Sequence, residues 1–88
     1  MVIWTNCNIN ERIFSPLVND DELVWHRDYE SRYVEVLESC DGWYFQREND
    51  LPRLLIVGDV FHIQLGEWHR LYKKSPLSDL IIKITKTQ

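Results

Sequence analysis

Residues 57–74 have the sequence VGDVFHIQLGEWHRLYKK, the most regular pattern of turns and apolar residues in the chain. Two glycines, Gly58 and Gly66, mark its turns, and most of the residues between them are apolar. Glycine tolerates the positive φ angles that tight turns between strands require. The stretch therefore predicts a turn, a strand, a second turn and a second strand that carries His69 towards the interior.

Turn signals recur at short intervals along the rest of the chain. They are SPLVNDDE at 15–22, SCDG at 39–42, ENDLP at 48–52 and KKSPLSD at 73–79. The runs between them are about 4–8 residues long and rich in valine, isoleucine and aromatic residues, the spacing of strands in an all-β sandwich or barrel. No stretch has the spacing of an amphipathic helix. The predicted fold class is therefore all-β.

Length and charge limit the class of protein. With 88 residues, the chain is expected to form one domain, residues 1–88, because so short a chain cannot close a second core. No run approaches the roughly 20 apolar residues of a membrane span, and the N-terminus has no signal-peptide pattern. We therefore expect a soluble, cytoplasmic protein without a membrane partner. The net charge of −4 argues against direct binding to nucleic acid.

Side chains on a strand alternate between its faces, so each apolar run can be divided into two rows. Residues 22–28, ELVWHRD, are predicted to form a strand with Leu23 on the face opposite His26. The rows assigned to the interior are Val34 with Val36, Leu71, and Leu80 with Ile82 and Ile84. This choice places four polar residues inside as well: His26, Asp28, Arg32 and His69. Polar side chains in an apolar interior need partners or a ligand.

The stretch around Gly58 resembles the second motif of the cupin superfamily. Gly58, Gly66 and His69 fall at the glycine, glycine and histidine places of that motif, Gln64 replaces its proline, and Lys73 stands where an asparagine is common. The resemblance implies a small cupin-like double-sheet β-barrel of the jelly-roll type.

The first cupin motif is similar to HRDYESRYVEVLES, residues 26–39. His26 falls at its first histidine place, whereas Asp28, Arg32 and Ser39 replace the second histidine, the glutamate and the glycine. Small proteins of large tailed bacteriophages carry a similar VWHRD, VLE and GEWHRL pattern. That likeness implies a bacteriophage-encoded protein.

The resemblance to cupins implies a candidate metal set. Cupin metals are held by the histidines and the glutamate of the two motifs, so His26 and His69 carry over and Asp28 supplies an oxygen. This set suits a divalent ion such as iron, manganese, nickel or zinc. Arg32, at the glutamate place, cannot ligate and would repel a divalent ion. Glu35, seven residues before Gly42, is the other residue that could take this place, although alternation puts it on the face opposite Val34 and Val36. The histidine-x-aspartate spacing also resembles oxoglutarate-dependent dioxygenases, in which Arg32 could pair with a carboxylate of a co-substrate.

Two interpretations of the same four residues need no metal. In the first, Arg32 and Asp28 form an ion pair with His26 and His69 hydrogen-bonded around it, a cluster that is stable only if every donor is met. In the second, Arg32 and His69 form a pocket for a small anionic ligand. By the alternation of faces, His62 is expected to be exposed.

Three functions remain open from the sequence. The first is a small non-enzymatic binding or accessory module that acts through a protein partner, such as a host protein, or a small anionic ligand. Trp25, Trp68 and Tyr72 are expected on the outer face and predict a homodimer or partner surface. The MVIWT run at residues 1–5 could add a strand to a neighbouring sheet. The second is a metal-dependent cupin enzyme that uses His26, Asp28 and His69. The third is an acidic inhibitor of a host nucleic-acid-binding protein.

Overall fold

A computed structural model of the chain describes residues 9–87. The MVIWT run lies outside this range. Within it, the chain forms seven β-strands and one 3-10 turn at Asp20–Glu22. The strands are β1 Ile9–Phe14, β2 Ser31–Glu38, β3 Trp43–Arg47, β4 Arg53–Leu54, β5 Val60–Ile63, β6 His69–Lys73 and β7 Leu80–Thr87. No helix in this part of the chain is long and apolar enough to cross a membrane.

The strands form two antiparallel sheets. One has four strands in the order β1-β7-β2-β5, and the other has three in the order β4-β3-β6. Apolar side chains from both sheets meet in one core. The all-β, double-sheet architecture predicted from the sequence is therefore confirmed, and it fits a jelly roll.

Alternating residues of the central strands build the core. Val34 and Val36 on β2 are buried, as are Leu80, Ile82 and Ile84 on β7, while Leu71 is half-buried against them. These are the rows that the sequence assigned to the interior. From the second sheet, Trp43 is fully buried, and its Nε1–H donates to the carbonyl of Ser78 over 2.8 Å. This bond satisfies the polar end of the largest core side chain.

The turns of residues 57–74 follow the predicted order. Gly58 and Gly66 have φ angles of 94° and 79°, and strands β5 and β6 follow them. His69 begins β6 and is only 4% exposed. A third glycine, Gly42, has a φ of 114° and lies so close to Pro76 that an added Cβ would stand 2.8 Å from its Cα.

The prediction of a strand over residues 22–28 is wrong. The chain leaves the 3-10 turn at Glu22 and contacts β6 through a single bridge between His26 and His69. Alternation applies only along a continuous ladder, and here Leu23 is buried whereas Val24 is 53% exposed. The residue His26 is likewise exposed rather than inside. The segment is therefore a loop that pairs with β6 only at His69.

Candidate functional site

A backbone bridge brings the polar residues together. The N–H of His26 donates to the carbonyl of His69 over 3.0 Å, and the N–H of His69 donates back over 2.9 Å. Two residues on, the N–H of Gly66 donates to the carbonyl of Asp28 over 2.9 Å. These backbone bonds fix the segment of His26 and Asp28 against the start of β6.

Three side chains form a cluster at this junction. One ligand atom from each of His26, Asp28 and His69 lies within 4.8 Å of the others. The two imidazole rings meet edge to face, with 4.3 Å between their centroids. Two histidines and a carboxylate are the ligand types of many mononuclear metal sites with open positions.

Both imidazoles are oriented by backbone carbonyls. Nδ1 of His26 lies 3.0 Å from the carbonyl of Val24, and Nδ1 of His69 lies 2.8 Å from the carbonyl of Glu67. A carbonyl oxygen only accepts, so each Nδ1 carries the hydrogen and donates it. In the neutral form of each ring, Nε2 is then the nitrogen with a lone pair. This is the arrangement by which proteins present histidine to a metal.

One oxygen of Asp28 lacks a hydrogen-bond donor. Oδ2 is buried and accepts no hydrogen bond from residues 9–87, although Nε2 of His69 lies 3.3 Å away. Burial lowers the pKa of His69; the Glu67 carbonyl opposes this shift, the nearby His26 adds to it, and the charges of Asp28 and Glu67 oppose it. The neutral imidazole therefore places its unprotonated Nε2 beside a carboxylate oxygen. Two acceptors this close repel each other unless a cation lies between them.

Arg32 lies at the other side of Asp28. Its Nη2 donates to Oε1 of Glu30 over 2.8 Å and stands 3.4 Å from Oδ1 of Asp28. The sequence predicts that Arg32 repels a metal ion, but Glu30 compensates its charge in the folded chain. The guanidinium Nε is buried and has no acceptor among the described residues. The ion pair of Arg32 and Asp28 that the sequence predicted is present, but Nε of Arg32 and Oδ2 of Asp28 have no hydrogen-bond partner among residues 9–87.

A second ion pair, between Arg47 and Glu67, holds the turn that precedes His69. Glu67, whose carbonyl holds the imidazole, accepts a hydrogen bond from Arg47 over 2.6 Å and another from the N–H of Gln64 over 3.0 Å. Burial by itself raises the pKa of Glu67, but these bonds and the charge of Arg47 lower it below its ordinary value. The pair is ionised at neutral pH and fixes the turn that precedes β6.

A cavity of about 320 Å³ lies between the two sheets beside this cluster. Its walls are mainly apolar, with side chains from both sheets, such as Val34, Phe45, Phe61 and Ile84. His26, His69 and Arg32 form part of the same lining. Arg32 therefore faces the interior, and the polar cluster stands at one wall of an otherwise apolar space.

The four predicted residues do not share one environment. His69 is buried, Asp28 and Arg32 are half-buried, and His26 is an exposed residue with its ring against His69. His62 is exposed and stacks on Tyr33 at 4.8 Å, away from the cluster. Sequence reasoning missed Glu30 and Glu67. No local pattern marks Glu30, since residues 29–30 form a bend, to which the alternation of faces does not apply.

Comparison with solved structures finds similar folds at low identity. A candidate mannose-6-phosphate isomerase from Ralstonia eutropha JMP134 matches with a TM-score of 0.65 and 17% identity, over 91% of this chain and 68% of that one. A cupin domain from Bordetella pertussis Tohama I matches with a TM-score of 0.61 and 14% identity, over 91% and 80%. The Fe(II) form of HppE matches with a TM-score of 0.66 and 11% identity, and the match covers 91% of this chain but only 43% of HppE.

These likenesses extend over nearly the whole chain and show a shared fold. No protein-family model matches the sequence, and no curated protein matches it significantly. HppE is also known in a Co(II) form with substrate, which has a TM-score of 0.60 to this chain at 17% identity.

Proposed function

We propose that this chain, which has the cupin fold, holds one divalent transition-metal ion between Nε2 of His26, Nε2 of His69 and the carboxylate of Asp28. The observation that carries the proposal is the buried Oδ2 of Asp28, which faces Nε2 of His69 at 3.3 Å without a hydrogen bond. A metal ion between these atoms replaces a repulsion with two bonds.

The donor set fits such an ion. Each histidine has its Nδ1 bound to a carbonyl, so the Nε2 lone pairs are available without a change of tautomer. The other oxygen of Asp28 lies beside Arg32, which orients the carboxylate. Three protein ligands leave coordination positions open, and imidazole and carboxylate together suit iron, manganese, nickel or zinc. When bound, the ion would act as a Lewis acid on an oxygen ligand.

The protein residues around the ion would orient its ligands, balance charge and exclude water. Glu67 and Val24 orient the two imidazoles through their carbonyls. Glu30 neutralises Arg32, so that its charge does not oppose the ion at short range. The apolar walls of the cavity exclude water from one side of the centre, where weak screening strengthens electrostatic interactions. The proposal thus favours the metal-dependent alternative over a module without a metal.

Partner predictions from the sequence are separate from this proposal. Trp25 and Trp68 are exposed by 39% and 38%, and each carries an arginine over its ring: Arg70 at 4.9 Å and Arg27 at 5.2 Å. This surface supports the prediction of a homodimer or protein partner. That prediction, the bacteriophage origin, the cytoplasmic location and the inhibitor role all stay predictions.

Titration of the metal-free protein with Co²⁺, followed by visible absorption, tests the ligand set. His26→Ala and Asp28→Asn are expected to weaken Co²⁺ binding at least about tenfold. His26 is an exposed residue, so its loss should leave the fold intact, which thermal unfolding of the variant checks. His62→Ala is the matched control and should bind Co²⁺ as the parent does. Equal affinity in His26→Ala and the parent would contradict the proposal.

A further inference from the structure

The cavity beside the cluster has the size and surface of a small-molecule site. At about 320 Å³ it stands at the lower end of the roughly 300–1,000 Å³ that such sites occupy. Its walls are mainly apolar, so a ligand that covers them removes apolar surface from water. The occupant that fits these walls is compact and mainly hydrocarbon.

One wall of the cavity carries a donor that needs an acceptor. Arg32 belongs to the lining, and its Nε–H is buried with no acceptor within residues 9–87. A buried N–H without an acceptor is unfavourable by about 1–3 kcal/mol. The guanidinium has five N–H groups, of which Nη2 donates one to Glu30, so an anion at this wall meets a charged group. The other charged residues of the lining, Arg12 and Glu22, are exposed.

The charges around the cluster favour an anionic occupant once a metal is present. Arg32 and Lys86 contribute two positive charges, and Asp28 and Glu30 contribute two negative ones, all linked by contacts of 2.8 to 3.8 Å. The set is therefore neutral, and a divalent ion adds two positive charges. A ligand with one negative charge compensates part of this excess in a region of weak screening. A carboxylate with a hydrocarbon part matches both this charge and the mainly apolar walls, whereas a phosphate would leave those walls without an apolar partner.

We propose that the cavity binds a compact apolar monocarboxylate, with its carboxylate directed at the metal centre and Arg32 and its hydrocarbon part among the apolar side chains. The inference rests on the proposed function, because the metal supplies the charge excess. It explains why an arginine occupies the wall of a hydrocarbon-lined space. The same residues would thereby form both the metal centre and the anion pocket that the sequence presented as alternatives.

Calorimetric titration with three probes tests the inference without any mutation. Hexanoate carries both the carboxylate and the apolar part, 1-hexanol lacks the carboxylate, and acetate lacks the apolar part. Zn²⁺-loaded protein should bind hexanoate at least about tenfold more tightly than either other probe. Removal of Zn²⁺ should weaken hexanoate binding by about the same factor. Equal binding of hexanoate and 1-hexanol would overturn the inference.

A pair of variants identifies the role of Arg32. Arg32→Gln should weaken hexanoate binding about tenfold while Zn²⁺ binding is retained, whereas Lys74→Gln, at an exposed site outside the lining, should change neither. Unchanged hexanoate affinity in Arg32→Gln would contradict the assignment. Zn²⁺ binding without hexanoate binding overturns this inference and leaves the proposed function standing. Failure of the parent protein to bind Zn²⁺ and each of Fe²⁺, Mn²⁺ and Ni²⁺ overturns both.

Discussion

Oδ2 of Asp28 and Nε2 of His69 face each other at 3.3 Å, and neither donates a hydrogen bond to the other. Nδ1–H of His69 donates to the carbonyl of Glu67, and burial favours the neutral form of the ring by lowering its pKa. The contact is therefore an acceptor–acceptor pair in the metal-free protein. Such a pair is unfavourable for folding and favourable for binding a cation, because the cation removes the repulsion.

Asp28→Asn is expected to separate the effect of this contact on folding from its effect on metal binding. The amide of asparagine can donate to Nε2 of His69 and still accept from Arg32 with its oxygen, so the free energy of unfolding of the metal-free protein should stay level or rise by about 0.5–1.5 kcal/mol. Metal affinity should fall, because a neutral amide is a weaker ligand than a carboxylate. Urea unfolding in the presence of a chelator measures the first effect. A clear loss of stability would indicate that His69 is protonated and paired with Asp28.

The ion pair between Glu67 and Arg47 predicts a pH dependence. Since the folded-state pKa of Glu67 lies below its ordinary value of 4.5, the pair stabilises the protein fully above the unfolded pKa and is lost as the pH falls through the folded pKa. Glu67→Gln should therefore cost about 1 kcal/mol at neutral pH, with allowance for partial exposure. The difference between parent and variant should shrink below about pH 4. Chemical unfolding of the metal-free proteins across this range measures it, and a constant difference would contradict an ionic role.

Two glycines with positive φ allow a test of local packing. Gly58→Ala meets open space at a φ of 94°, so only the backbone conformation is disfavoured, at about 1–2 kcal/mol. Gly42→Ala adds a contact of 2.8 Å to the Cα of Pro76, and overpacking should cost roughly 1–3 kcal/mol more. Thermal and urea unfolding of the two variants should rank them in this order. Equal losses would show that the segment around Pro76 moves aside.

The sequence predicted the parts of the fold that depend on regular strands. His69 is buried because β6 pairs with β3 along a continuous register, and alternation along β2 and β7 places Val34 and Ile84 in the core. Glycine positions located the turns around residues 57–74 for a steric reason that holds locally. These inferences needed no knowledge of distant contacts.

The loop of residues 22–28 depends on tertiary contacts, and the sequence did not predict its shape. A 3-10 turn at Asp20–Glu22 and one bridge to His69 fix its path, so alternation failed at Leu23. The orientation of both imidazoles is set by backbone carbonyls, which carry no trace in residue identity. The compensation of Arg32 by Glu30 likewise depends on the bend before β2.

Elemental metal analysis of protein purified without a chelator, compared with His26→Ala, determines whether the chain holds a metal ion at this site. The proposal predicts about one divalent transition-metal ion per chain in the parent and little or none in the folded variant. His62→Ala should retain the content of the parent. A folded parent protein that contains no metal, and takes up none when incubated with Fe²⁺, Mn²⁺, Ni²⁺ or Zn²⁺, would contradict it.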